Sequence, residues 1–484
     1  MKRIVFILSL VILICIFILL FSKKKHPYKH LFKETPYVPT LKGRKRYVNF
    51  DASASTLPFE DVCKKIEYFT KYYSNIHRGH GYLSKVSSHL FDKSRKIVLD
   101  FINAPDEKYM CIFGKNTSEC INKLAYCFTS PVCKCKERDV ILITEMEHHS
   151  NILPWKKNPE KIVDFIKINK QGFLDLEDLN EKIKKYGERI SIISVSGGSN
   201  VTGIVNPIKE IAEIAHSVGA FICVDGAQLV PHRKINIDEN DIDFLCFSGH
   251  KMYSPFGIGV LVGLRSFFNN HTPCFSGGGE VDFVDIKNNI VLWKKSEERH
   301  EEGTPNIIGV IALSEAIKIL NSINMDKVHS HETELYKYAY DKLSTVPNIN
   351  ILSPNPEFDP LGIVSFYIGG LHQSHVGSVL EYEYGIGCRS GCLCASPYVK
   401  RLLGISDVFV KQIIQKIEDE DDKRGISGVV RISFSLYTSK EDIDYLCFAL
   451  ENIINGKYKS YIQNKDGSFV PETFKPELFN YDIL

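Results

Sequence analysis

The stretch IDFLCFSGHKMYSPFGIG, residues 242–259, decides the fold. IDFLCFS (242–248) has the apolar, aromatic make-up of a buried strand, and Ser248-Gly-His-Lys251 interrupts it just before GIGVLVG (257–263) resumes the pattern. A lysine just past a buried strand ordinarily reaches for solvent. Working outward, similar runs recur at KYMCIF (108–113), DVILIT (139–144), ISIISVS (190–196) and AFICVD (220–225). Between the last two, PIKEIAEIAHSVG (207–219) places apolar residues at helical spacing, with Pro207 at its start and Gly219 at its end. Strand and helix in turn predict an α/β domain with a mainly parallel sheet, and such sheets gather ligands at the carboxyl ends of their strands.

Polar residues collect at those ends. Gly114-Lys-Asn-Thr-Ser-Glu119 follows the first strand, and a glycine turn opening a helix suits a phosphate, although Ser/Thr-x-Glu is equally a helix cap. Glu147-His-His-Ser-Asn151, Ser199-Asn200 and Asp225-Gly-Ala-Gln228 follow the next three. Set beside a histidine, a serine and an aspartate at neighbouring strand ends, Lys251 reads as a desolvated amine held for Schiff-base chemistry. Asp225, at the end of an apolar strand, needs a cationic partner if it is buried.

The remainder of the chain supplies context. Its 484 residues, 44% hydrophobic and 24% charged, suffice for more than one domain. Residues 1–46 hold eleven basic residues and one acidic residue; subtracted from 60 and 58, they leave 49 positive against 57 negative, so no extended basic surface for nucleic acid is expected. IVFILSLVILICIFILLF (4–21) is 18 residues long, interrupted only by Ser9, and spans about 27 Å as a helix. It exceeds a signal-peptide core and is followed by Ser-Lys-Lys-Lys, so residues 1–22 are expected to form a single-pass membrane anchor. By the positive-inside tendency, the basic flank that follows is expected to leave the body of the chain on the cytosolic side. The expected organisation is then a basic linker (23–46), a large domain (47–325, with 47–75 packing on the smaller one), a smaller C-terminal α/β domain (326–455) and a peripheral tail (456–484). In the smaller domain, 362–368 and 427–437 read as strands, 376–385 and 440–454 as helices, and KIEDEDDKRGISG (416–428) as a solvated loop.

Fourteen cysteines are scattered through this large chain, unlike the disulfide framework of a small secreted domain. Cys133-Lys-Cys135 and Cys392-Leu-Cys394 lack the common zinc spacing, so no metal is expected. CRSGCLC (388–394) is read instead as a nucleophile loop; Gly391, Arg389 and a cationic pocket would favour a thiolate at Cys394, with Cys392 shielding or resolving it and Cys388 packing inward.

EHHSNILPW, VDGAQLVPHR, FSGHKMYSPFGIG and EEGTPN, in this order along the chain, resemble the class V, fold-type I pyridoxal-phosphate enzymes, above all the cysteine desulfurase/selenocysteine lyase branch, over roughly residues 47–452. The resemblance implies a seven-stranded, mainly parallel sheet in the large domain, a homodimer and the cofactor pyridoxal 5'-phosphate. Residue by residue it implies that Lys251 holds the cofactor as a Schiff base, Asp225 pairs with its ring nitrogen, and His148 stacks on the ring and relays protons. It further implies that Asn200 and Gln228 contact the ring hydroxyl and that Thr117, Ser118, Ser248 and His250 bind phosphate. Thr304 reaches the neighbour's phosphate, Arg431 (with Asn200) grips the substrate carboxylate, and Cys394, in Cys-Ala-x-Pro, accepts sulfur. The implied activity is conversion of L-cysteine to L-alanine, with an enzyme persulfide passed to an acceptor protein, as in iron–sulfur cluster assembly.

Two positions depart from the pattern. Arg389-Ser-Gly-Cys-Leu-Cys394 replaces the commoner Arg-x-Gly-His-His-Cys, a form shared with molybdenum-cofactor sulfurases, and Gly81 stands where many relatives place a histidine. They bear on substrate and leave open an aminotransferase, lyase or epimerase of the same fold, or a selenocysteine substrate. A non-enzymatic membrane scaffold would not require Lys251, Asp225, His148 and Arg431 together.

Overall fold

The computed structural model describes residues 26–129 and 138–473, with Lys475 and Phe479 beyond. The expected anchor, together with Cys15, Cys133 and Cys135, lies outside the described residues. Among the described residues no single helix is long and apolar enough to cross a membrane.

Seven strands form the central sheet: β1 (Tyr109–Gly114), β2 (Val140–Thr144), β3 (Ile162–Ile166), β4 (Ile190–Ser196), β5 (Phe221–Asp225), β6 (Phe244–Ser248) and β7 (Gly259–Leu264). Their order is β1-β7-β6-β5-β4-β2-β3. All neighbours from β6 to β3 run parallel, whereas β7 is antiparallel to both β6 and β1. β2, β4 and β6 are buried along their whole length, which is why they read as unbroken apolar runs without alternation. β3, IVDFI, escapes that reading: it is the edge strand, half-exposed, with Asp164 in its middle bonded to Lys182 and Tyr186.

Helices cover both faces of the sheet. α1 (Glu60–Phe69) and α2 (Tyr82–Phe101) pack with the buried α5 (Ile307–Ile323), and α3 (Thr117–Thr129) starts directly after β1. α4 (Ile208–His216) begins one residue after Pro207, so the proline precedes the helix. At Asn324, in the left-handed region at φ +80°, the chain bends by 78° from α5 into α6 (Met325–Ser344). The Asn324 side chain accepts from the Asp326 N–H and so caps the second helix.

The smaller domain carries a four-stranded sheet, β8 (Ile349–Ile351), β9 (Ile363–Ile368), β10 (Arg389–Gly391) and β11 (Val429–Ser433), in the order β8-β9-β11-β10. Its helices are α7 (Gln373–Tyr384), α8 (Ser396–Leu402), α9 (Asp407–Glu420) and α10 (Lys440–Ile454). Ser439 and Asp442 close a capping box at the start of α10.

Several readings of the ends and loops are corrected. The stretch read as a basic linker is folded from His26 on. His26 Nε2 bonds the Thr438 carbonyl, Phe32 packs on Phe59 and Tyr253, and Tyr37–Thr40 and Gly43–Arg46 form a hairpin, with Arg46 paired to Asp442. Segment 47–75 divides between the domains: Val48 and Phe50 enter the small core, while α1 belongs to the large one. Residues 416–420 are the last turn of α9, because the loop reading stopped at their charge and missed the apolar positions preceding them. The tail is not merely peripheral: strands Tyr461–Gln463 and Phe469–Pro471 pair, and Phe469 stacks on His375 of α7.

Candidate active site

The strand ends β1, β2, β4, β5 and β6 converge with the smaller domain on a cavity of about 350 Å³. Thr117, Ser118, His148, Asn200, Asp225, Gln228, Ser248, His250, Lys251, Cys394 and Arg431 all line it. These residues come from sequence positions more than 300 apart, and the parallel sheet brings them together because its carboxyl ends lie on one edge. Thr304 does not line the cavity of its own chain and is exposed.

Asp225, at the end of β5, is 5% exposed, and among the described residues its carboxylate accepts one hydrogen bond, from the Ala227 N–H at 3.0 Å. Burial raises its pKa, opposed by that hydrogen bond and by the charge of Lys251. Lys251 sits in the turn after β6; desolvation pushes its ammonium down to about 8, opposed by Asp225, while Arg431 lowers it further. His148 is pushed down to about 4 by burial and by Lys251, so its ring is neutral at physiological pH. Its Nδ1 accepts from the Ser150 N–H at 3.1 Å, which assigns the ring proton to Nε2. His250, also lowered to about 4 by burial, is likewise neutral, and its carbonyl accepts from the Thr56 N–H at 2.9 Å.

At the start of α3, Thr117 Oγ1 lies 2.6 Å from Ser248 Oγ, and Ser118 Oγ lies 2.6 Å from Ser150 Oγ. Hydroxyls from three elements thus meet at the start of a 13-residue helix, whose first N–H, that of Thr117, donates to Ser248 Oγ at 2.6 Å. Across the cavity Gln228 donates to the Ser53 carbonyl, and its Oε1, like the Ser53 hydroxyl, is buried without a partner among the described residues.

Cys394 is exposed and lines the mouth of the cavity near Lys251. Leu393 and Cys394 both adopt φ +54°, a left-handed conformation costly for residues with a side chain. Two bonds hold them there: Asn200 Nδ2 donates to the Leu393 carbonyl at 2.8 Å, and the His149 N–H donates to the Cys394 carbonyl at 2.7 Å. Asn200 was expected on a ring hydroxyl or on substrate; in this structure its amide N–H clamps the cysteine loop. Arg389 was expected to favour a thiolate at Cys394; its guanidinium is bonded to Asp51, and its charge still interacts with Cys394 across the shared cavity. Cys392 turns aside, its thiol donating to the Ser427 carbonyl, and Cys388 packs inward, where burial raises its pKa to about 12.

Asp51, Ser53, His149 and Ser150 were not singled out from the sequence. Ser150 lies inside the quoted motif EHHSNILPW and could have been marked as a partner for His148, whereas the short polar run DASAS carries no spacing signal. The same motif forms a buried relay behind the site. Glu147 accepts from Thr144, Asn151 and both the N–H and hydroxyl of Ser196, while Trp155 donates to Asn151. Burial raises Glu147 to about 7 despite these donors.

The class-V aminotransferase family profile matches residues 48–446. The chain belongs to that family. A probable cysteine desulfurase from Halalkalibacterium halodurans is 36% identical over 403 residues, 83% of this chain and 91% of the relative. A cysteine desulfurase from Haloferax volcanii is 33% identical, covering 83% and 88%. Among solved structures, the apo cysteine desulfurase from Thermococcus onnurineus NA1 superposes with a TM-score of 0.73 at 33% identity, covering 85% of this chain and 95% of that one. The cysteine desulfurase CsdA (S-sulfonic acid) from Escherichia coli gives 0.72 at 29%, covering 84% and 95%.

Class V enzymes use pyridoxal phosphate, and the cavity fits it. A buried carboxylate without a contacting cation suits a protonated ring nitrogen, the partnerless Gln228 Oε1 a polar ring substituent, and the α3 corner a phosphate. The chain is a pyridoxal-phosphate enzyme. Because the Lys251 amine must be unprotonated to condense with an aldehyde, loading of cofactor-free protein should accelerate as pH rises to about 8 and level off above it. Stopped-flow absorbance checks this; a rate still rising beyond pH 10 would mean an ordinary lysine.

Proposed function

We propose that this chain is a cysteine desulfurase that converts L-cysteine to L-alanine and keeps the sulfur as a persulfide on Cys394 for transfer to an acceptor protein. The observation carrying the reading is Cys394: a cysteine held in a left-handed loop by Asn200 and His149, at the mouth of the cavity that holds Lys251 and Arg431. An aminotransferase, lyase or epimerase has no use for a thiol presented there. The names of the relatives support the same activity.

Bound pyridoxal phosphate supplies an electron sink for charge developing on the substrate carbon. The protein's residues do the rest. Asp225 would keep a proton on the ring nitrogen, and the corner of Thr117, Ser118, Ser248 and His250 would hold the phosphate. Arg431 binds the substrate's carboxylate. The Lys251 amine, held near its pKa at neutral pH, takes the proton from the substrate's α-carbon and returns one later. Cys394 Sγ attacks the substrate's Sγ; a sulfur–sulfur bond forms as the carbon–sulfur bond breaks, and the carbon keeps the electron pair and takes a proton. Alanine leaves, and the outer sulfur remains on Cys394. The exposure of Cys394 gives an acceptor's thiol access to it.

A homodimer would bring Thr304 of one chain to the phosphate corner of the other; its exposure and its absence from its own chain's cavity support this. The apolar run 4–21 would anchor the enzyme in a membrane as a single span, with the body on the cytosolic side. Since the body is packed from His26 on, only residues 22–25 would separate bilayer and enzyme.

The test is to incubate the full-length protein with L-cysteine and a reductant: alanine and sulfide should appear in equal amounts. No alanine would overturn the reading. In the same cells, the protein should stay with membranes through a carbonate wash, and deletion of residues 1–22 should release it with activity intact.

A further inference from the structure

Arg431 cannot act alone. It is 3% exposed on β11, directly opposite Arg389 on the neighbouring antiparallel strand β10. Two guanidiniums facing each other across a sheet repel, and burying one raises the cost. Asp51 resolves this. Its Oδ1 accepts from Arg431 Nη2 at 3.0 Å, and its Oδ2 accepts from Arg389 Nη2 at 2.7 Å. One carboxylate between two guanidiniums leaves a cluster of net charge +1, which one substrate carboxylate would neutralise.

The contacts also determine which part of Arg431 stays free. Its Nη1 donates to the Asn200 carbonyl at 3.0 Å and its Nη2 to Asp51. Of the five N–H groups three make no hydrogen bond to the described residues, among them the buried Nε–H. A buried donor left unpaired costs free energy that an arriving acceptor recovers. Asp51 is itself held firmly: its N–H donates to Asn49 Oδ1 at 2.8 Å, and its backbone bridges Ser433 at the end of β11.

We infer that Asp51 is a positioning residue for recognition of the substrate's α-carboxylate, holding Arg431 by its Nη2 so that the guanidinium keeps its orientation at the cavity, and tying it through Arg389 to the strand that leads into the Cys394 loop. This deepens the desulfurase reading and rests on its claim that the substrate is an α-amino acid.

The test compares L-alanine with ethylamine, the same skeleton without a carboxylate, by titrating the cofactor absorption of the holoenzyme. Asp51→Asn should weaken L-alanine about tenfold, leave ethylamine unchanged, and raise KM for L-cysteine more than it lowers kcat. Asp51→Glu should fall between wild type and Asp51→Asn. Unchanged L-alanine binding would overturn the inference, as would equal weakening of both ligands, the mark of a merely structural role. If Asp51→Asn does not fold, the ratio in Asp51→Glu decides: lower than wild type supports the inference, and equal to wild type overturns it. Should wild type make no alanine from L-cysteine, the desulfurase reading falls while the L-alanine to ethylamine ratio still decides the role of Asp51.

Discussion

Cys394→Ala should abolish alanine formation from L-cysteine, by about a thousandfold or more, while the cofactor's visible absorption stays as in wild type. The two readouts separate because Cys394 lines the mouth of the cavity and makes none of the hydrogen bonds that build the cofactor corner. Its backbone carbonyl bonds His149, and alanine retains that bond, so the loop should keep its path. Cys392→Ala, by contrast, removes a thiol that points to the Ser427 carbonyl and should leave measurable turnover. Alanine assays on the two variants, each normalised to cofactor absorbance, provide the check. Full activity in Cys394→Ala would show that the sulfur is taken elsewhere.

Lys251→Ala should remove both the covalent cofactor link and turnover, again by about a thousandfold or more, because only an amine within reach of the aldehyde can make that link. The cofactor should still bind without it, since Asp225 and the α3 corner are untouched, and dialysis should then strip it far faster than from wild type. Borohydride reduction of the wild-type protein followed by peptide mapping should place the label on Lys251 alone. A label on another lysine would refute the assignment. Lys251 differs from surface lysines in its desolvation, which lowers its pKa to about 8 with Asp225 pulling the other way.

How far these roles could be read in advance depended on the range of the interactions behind them. The strands β1, β2, β4, β5, β6 and β7 were legible because each is a local run of apolar residues, and a run buried on both faces leaves its mark on every position. Edge strand β3 was not, since half-exposure removes that mark. In the same way Asp225, Lys251 and His148 were legible as polar residues just past such runs, where parallel topology puts a ligand. Cys394 was marked by its motif and not by physical necessity, for three cysteines in seven residues fit several chemistries.

By itself, then, the sequence determined the alternation of strand and helix, the set of strand ends and the chemical types that stand on them, because these follow from local periodicity and side-chain chemistry. The tertiary structure alone decided which partners those side chains face. Asn200 turns its amide to the Leu393 carbonyl 193 residues on, Arg389 bonds Asp51 338 residues away, and Asp51 reaches Arg431 380 residues away. No spacing rule predicts such pairs. They exist because burying a guanidinium or a strained loop carbonyl requires a partner at hydrogen-bond distance, and which partner is near is determined only when the two domains close on one another.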